Sequence, residues 1–193
     1  YMSEFTPRTQ NWRWYDDETN ETPSTALASE NVAPSDIEDL NLLKLRIAVK
    51  ETNDIGFQNL KFKLQYSTTS NFSSDIHDLV ESGSCNGSSA WCYADGAGID
   101  NGVITTKVLS DADSCTGSTG NGCGTHNESV VSTATFVHKK SATTEYGFTI
   151  KRSGGVANTT YFFRAFDVLS NIPVPFNTGE AYPSLSTVGA SLT

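Results

Sequence analysis

The chain has 193 residues, 37% of them hydrophobic, enough to bury a core in one large or two small domains. Acidic residues outnumber basic ones by 22 to 13, and the formal charge of −9 argues against nucleic acid or an anionic membrane surface as a partner. No apolar run approaches the roughly 20 residues that cross a bilayer, so direct membrane insertion is not expected.

The chain opens at Tyr1, without an initiator methionine or a charged-then-apolar leader, which suggests a mature product. The first predicted strand, Asn11 to Asp16, carries Trp12-Arg13-Trp14-Tyr15. In an extended chain the two tryptophans share one face, which fits a buried core face, a sugar-stacking platform, or a strand lodged in a neighbour's groove. Ala26 to Val32 and Ile76 to Val80 suit at most a turn or two of helix.

Strict alternation follows. Leu43, Leu45, Ile47 and Val49 interleave with Lys44, Arg46, Ala48 and Lys50, predicting a strand with one dry and one wet face. Leu60, Phe62, Leu64 and Tyr66 interleave with Lys61, Lys63 and Gln65, and the Asn- and Gly-bearing stretch between the two runs reads as a hairpin connection. Further strands are expected at Gly102 to Leu109, Val130 to His138, Glu145 to Lys151, Thr159 to Val168 and Tyr182 to Val188. Asp95-Gly96, Asn101-Gly102, Gly154-Gly155 and prolines 173, 175 and 183 supply the breaks. The pattern predicts an all-β fold, an antiparallel sandwich with long disulfide-stapled loops. Residues 1–15 read as a separable N-terminal strand and 16–193 as a single sandwich domain.

Cys85, Cys92, Cys115 and Cys123 lack the close paired spacing of a zinc site and flank Gly- and Ser-rich loops, CNGSSAWC and CTGSTGNGC. Two disulfides are expected, hence an oxidising, extracellular setting. Four cysteines allow three connectivities, of which 85–92 with 115–123 is the simplest. Asn20, Asn71, Asn86, Asn127 and Asn158 each open an Asn-x-Ser/Thr triplet that can accept a glycan.

The run Asn158-Thr-Thr-Tyr-Phe-Phe-Arg-Ala-Phe-Asp resembles the penultimate strand of fibronectin type III domains, centred on Tyr161 to Arg164. Across most of its length the chain resembles an uncharacterised extracellular β-domain that recurs, often in tandem, in large bacterial surface proteins. The residues that carry this likeness are Trp12-Arg-Trp-Tyr-Asp-Asp, Leu45-Arg-Ile-Ala-Val, Phe62-Lys-Leu-Gln-Tyr, the strand at Trp91, Tyr161-Phe-Phe-Arg and Tyr182-Pro-Ser-Leu-Ser-Thr. The resemblance implies an immunoglobulin- or fibronectin-like sandwich at a cell surface, and no enzymatic activity.

Catalytic motifs are missing. There is no G-x-S-x-G elbow, and His77, His126 and His138 stand beside no evident nucleophile. Asp95, Asp100, Asp111 and Asp113 lie in Gly-rich loops whose oxygens suit calcium, although none forms an ordered D-x-D-x-D-G loop; no other cofactor is expected. The sequence therefore leads to a structural subunit of an extracellular filament, pilus-like fibre or surface layer. Its partners would be copies of itself, joined by donation of the first strand through Phe5, Trp12 and Trp14 into an open groove. Deleting that strand is expected to stop assembly and leave the domain folded. The competing expectation is a carbohydrate-binding module or adhesin, with surface glycans as partners and Trp91 or Tyr93 exposed beside the disulfide loop.

Overall fold

A computed structural model describes residues 4–19, 22–54, 58–98, 101–115, 122–129, 132–179 and 181–189. Among the described residues, thirteen strands in three sheets account for the regular structure, with one short 3₁₀ turn at Ser82–Ser84.

The larger sheet is built on β2 (Leu42–Glu51), flanked by antiparallel β1 (Pro7–Asp16) and β10 (Thr143–Arg152). The far side of β10 is shared. β8 (Cys123–Asn127) pairs with its first half and β6 (Trp91–Tyr93) with its last residues, while β7 (Gly102–Val103) closes that edge. The β8–β10 pairing is parallel, a departure from the wholly antiparallel expectation. The second sheet centres on β11 (Thr160–Asp167), with β4 (Phe62–Ser67) and β5 (His77–Asp78) on one side. On its other side lie β12 (Ile172–Pro173) and β13 (Ser184–Ser186). A two-stranded pair, β3 (Gln58–Leu60) with β9 (Phe136–His138), completes the set.

The alternating runs at β2 and β4 do form strands, but they are not a hairpin: they belong to different sheets, so the chain passes from one sheet to the other between them. Crossing lets each strand turn its apolar face toward the other sheet. Aromatic edges meet there: Trp14 on Phe163 at 5.2 Å, Trp91 on Phe163 at 5.3 Å and Phe62 on Tyr146 at 4.6 Å between centroids. Tyr93, from the first sheet, accepts the Leu64 backbone N–H of the second at 2.8 Å, and its burial holds the phenol well above its ordinary pKa. The result is a sandwich-like all-β fold around one aromatic core.

The wet face predicted for β2 is dry except at Lys50. Lys44, Arg46 and Ala48 are only 3%, 2% and 0% exposed, because the segments that carry Ala97 and Thr106 come down on that face, where their carbonyls accept from Lys44 and Arg46. β2 is therefore covered on both sides, like a strand in the middle of a larger protein. The expected strand from 102 to 109 contracts to Gly102–Val103, and residues 104–109 belong to this covering layer. Likewise, of the described residues in the 130–138 run only Phe136–His138 form a strand, and neither 26–32 nor 76–80 is helical.

Register fixes the two ends of the molecule. β1 enters opposite Glu51 and runs toward Leu43; β11 starts opposite Ser186 and finishes opposite Ile172. Residues 4–8 thus sit at the pole that holds Thr52, His138 and Ile172. Residues 187–189 sit at the opposite pole, beside Ile37, Asn158 and Thr159.

Candidate functional site

β1 is the element expected to join subunits, and its surroundings are the most elaborated in the fold. One edge pairs with β2 along its length, with a bulge between Thr9 and Trp12. The other edge is bonded as well. Asp16 N–H reaches Thr25 O at 2.9 Å, Leu27 N–H reaches Trp14 O at 3.0 Å and Asn31 N–H reaches Trp12 O at 2.8 Å. Further up, Thr9 N–H donates to Pro175 O at 2.7 Å and its carbonyl accepts from Asn177 at 3.1 Å. A sheet edge that would template unwanted pairing is thereby closed by the chain's own loops.

The inward face of β1 is anchored twice. Trp12 donates its indole N–H to Ala181 O at 3.0 Å, and Trp14 donates to Ser184 O at 2.9 Å. Both rings are buried, and Phe5 packs on the same core with its ring edge on His138, 5.7 Å away. The groove expected to stand open for a neighbour's strand is filled by this chain's own β1. Deleting β1 would take two tryptophans out of the core, so the truncated domain is not expected to stay folded. At the pole where β1 enters, a hollow of about 430 Å³ is lined by Phe5, Arg8, Asp167, Ile172 and Pro173.

The outer face of the large sheet carries a buried polar layer. Arg46 meets Glu145 at 2.8 Å and also donates to Thr106 O at 3.1 Å. Glu145 accepts from Val108 N–H at 2.8 Å and from Leu109 N–H, so one carboxylate ties the covering loop to β10. Burial raises the Glu145 pKa, against the pull of Arg46 and the two amides. Lys44 donates to Glu18 O at 2.9 Å and to Ala97 O, and lies 3.6 Å from Asp17. Sequence reasoning missed these residues because alternation says which side of a strand faces the core, not whether a distant loop returns to cover the other side. The signal that could have found them is the length of the loop region between Tyr93 and Cys123.

The expected sites are distributed as follows. The disulfides are Cys85–Cys92 and Cys115–Cys123, with Cα separations of 5.7 and 5.1 Å. Trp91 and Tyr93 are both 0% exposed, so the aromatic platform expected beside the first disulfide is corrected to a part of the core. Asn71, Asn86 and Asn158 are exposed, but Asn127 lies inside β8 at 0% exposure and cannot present its amide to a glycan-transferring enzyme; Asn20 lies outside the described residues.

The acidic residues do not converge. Asp95 is exposed, Asp111 accepts from Asn11 N–H at 3.1 Å, and Asp113 accepts from Thr143 N–H at 3.0 Å. Asp100 lies outside the described residues, among which no group of three or more metal-ligating side chains is assembled. Calcium thus has no ready site among them.

The histidines have structural partners. His126 Nε2 meets Glu128 at 3.0 Å and Thr149 Oγ1 at 3.1 Å. A relay needs the orienting acid and the nucleophile on opposite ring nitrogens, and here both converge on one. Its ring fits against Gly147, where an added methyl would lie 2.5 Å from Nδ1. His138 bonds Tyr146 Oη at 2.8 Å and Ala142 O at 2.9 Å. Its burial pushes the pKa down to about 4. His77 is half-exposed, bonded to Asp75 at 2.7 Å and stacked on Tyr66 at 5.2 Å, beside a shallow hollow. Ser88 and Ser89, at the rim of that hollow, bond Asn86 and Tyr66 instead of His77.

No family model, no curated protein and no solved structure matches this chain.

Proposed function

We propose that this chain is a non-catalytic structural module of an extracellular fibre or surface layer, and that copies join through exchange of β1. One observation carries the reading: β1 is an edge strand at one pole, its seat is specified by two indole bonds, and a long connection over residues 17–41 joins it to β2. An exchanged strand recreates the same contacts in the neighbour, so closed and joined forms differ little in energy and concentration selects between them. The connection gives the strand reach once its bonds to β1 at residues 25–31 and to β13 at Pro34 and Ile37 have opened. A head-to-tail contact of this kind propagates without closing, which is the geometry of a fibre. The likeness to extracellular β-domains of bacterial surface proteins, the fibronectin-like run at Tyr161–Arg164 and the disulfides favour the same setting.

A sugar-binding adhesin is the weaker alternative, because Trp91 and Tyr93 offer no exposed ring for stacking.

The test uses the directly opposed pair Arg8 and Lys50. In the doubly substituted Arg8→Cys/Lys50→Cys protein, oxidation at high concentration should give a ladder of covalent multimers on a non-reducing gel. Cross-linked monomer alone at every concentration would overturn strand exchange.

A further inference from the structure

We infer that the sandwich is a tension-bearing clamp whose two terminal strands are loaded in shear when the module is pulled along its long axis. The inference rests on the proposed structural role only for its purpose; the geometry stands independently of strand exchange.

β1 enters at one pole and runs the length of the sheet toward the other. A pull outward from that pole drives β1 parallel to itself along β2. Hydrogen bonds of an antiparallel pair stand perpendicular to the strands, so every bond of the pair is strained at once instead of in sequence. The same pull strains the bonds from β1 to residues 25–31 and 175–177. At the opposite pole β13 leaves antiparallel to β11, and a pull there drives it parallel to itself too. β13 is gripped on both sides. Phe163 N–H holds Pro183 O at 2.8 Å; on the other flank Ser186 N–H holds Pro34 O at 2.9 Å and Val188 N–H holds Ile37 O at 3.0 Å.

The two clamps are also joined directly. Trp12 and Trp14, on β1, donate to Ala181 and Ser184, in the segment that leads into and begins β13. Tension entering through the first strand therefore reaches the last one in a single step across the core, bypassing the sheets' other strands. The disulfides lie off this path, within loops of sequence separation 7 and 8.

The experiment is single-molecule pulling on the full chain in two geometries at one speed. In the first, handles are fused to the two ends. In the second, one handle stays at the N-terminus and the other is attached at a Lys50→Cys thiol, which peels β1 from β2 one bond at a time. Forced unfolding reads the barrier to unfolding, so the end-to-end force should exceed the peeling force by about twofold or more. Equal or lower end-to-end force would overturn the clamp. Trp14→Phe keeps a six-membered aromatic ring and removes the donor, and should lower the end-to-end force; Trp91→Phe makes the same loss of ring at a residue whose indole N–H has no partner among the described residues, and should leave it unchanged. An equal fall in both would assign the resistance to general packing and overturn the role of the indole links. Strand exchange is read separately by the cross-linked ladder, so either idea can fail alone.

Discussion

Trp14 and Ser184 are 170 residues apart in sequence, yet the indole N–H of one rests 2.9 Å from the carbonyl of the other, with the ring fully buried. A buried indole placed this way couples packing to a specific hydrogen bond. Trp14→Phe loses the bond and part of the ring, and should cost about 1–3 kcal/mol in a denaturant melt with unchanged slope.

Trp91 makes the contrast. It is buried equally deeply in the same cluster, but its N–H has no partner among the described residues. An unpaired buried donor carries a penalty of about 1–3 kcal/mol, which Trp91→Phe removes while leaving a smaller void. The two effects oppose, so Trp91→Phe should change stability by less than Trp14→Phe. Parallel urea melts of the two variants check the order.

His138 sets an acid limit. Its folded pKa of about 4 lies below the ordinary 6.5, so between these values the unfolded chain holds a proton that the folded one does not. Stability from this group is complete above pH 6.5 and falls as the pH drops toward 4, by about 3 kcal/mol in all. Replacing the imidazole by an uncharged group, His138→Gln, should flatten the stability curve across that window even if it lowers stability at pH 7.

Glu145 accepts from the Arg46 guanidinium and from the Val108 and Leu109 amides, while Arg46 also donates to the Thr106 carbonyl. Glu145→Leu takes the carboxylate away from a buried guanidinium and two amides, and should cost roughly the 3–5 kcal/mol of a broken buried pair. Arg46→Met leaves the amides satisfied and should cost less. Hydrogen exchange at Val108 and Leu109 should accelerate in the first variant and not in the second.

Reduction of both disulfides frees the residues their loops enclose. The extension gained on unfolding should grow by roughly 40 Å, the length of about fifteen extended residues less the crosslinked spans. The force needed to unfold should barely change, since neither crosslink ties β1 or β13 to the rest of the fold.

Much of this architecture was legible in the sequence. Alternation located β2 and β4, because a period of two is what a strand with a buried face imposes on its residues, and the turn signals between candidates set off β1, β10 and β11. The partner of each strand was not legible. Leu45 and Phe62 announce identical buried faces, and nothing local distinguishes a hairpin from a crossing between sheets. Parallel pairing of β8 with β10 was hidden for the same reason, since it depends on a long connection and not on the strands' own patterns. Of the candidate site, Trp12 and Trp14 were visible as a shared face, but their acceptors were carbonyls, which leave no trace in side-chain identity. Asn127 was misread because a triplet pattern carries no information about burial.

The distance in sequence between each tryptophan of β1 and its acceptor also governs the order of events at birth. A chain emerging from the ribosome N-terminus first presents Trp12 and Trp14 about 170 residues before their carbonyl partners at 181 and 184. Until then β1 can be no more than provisionally seated, and closure must wait for β13 to arrive. A module whose first and last strands lock each other in this way stays threadable while everything between them is being made.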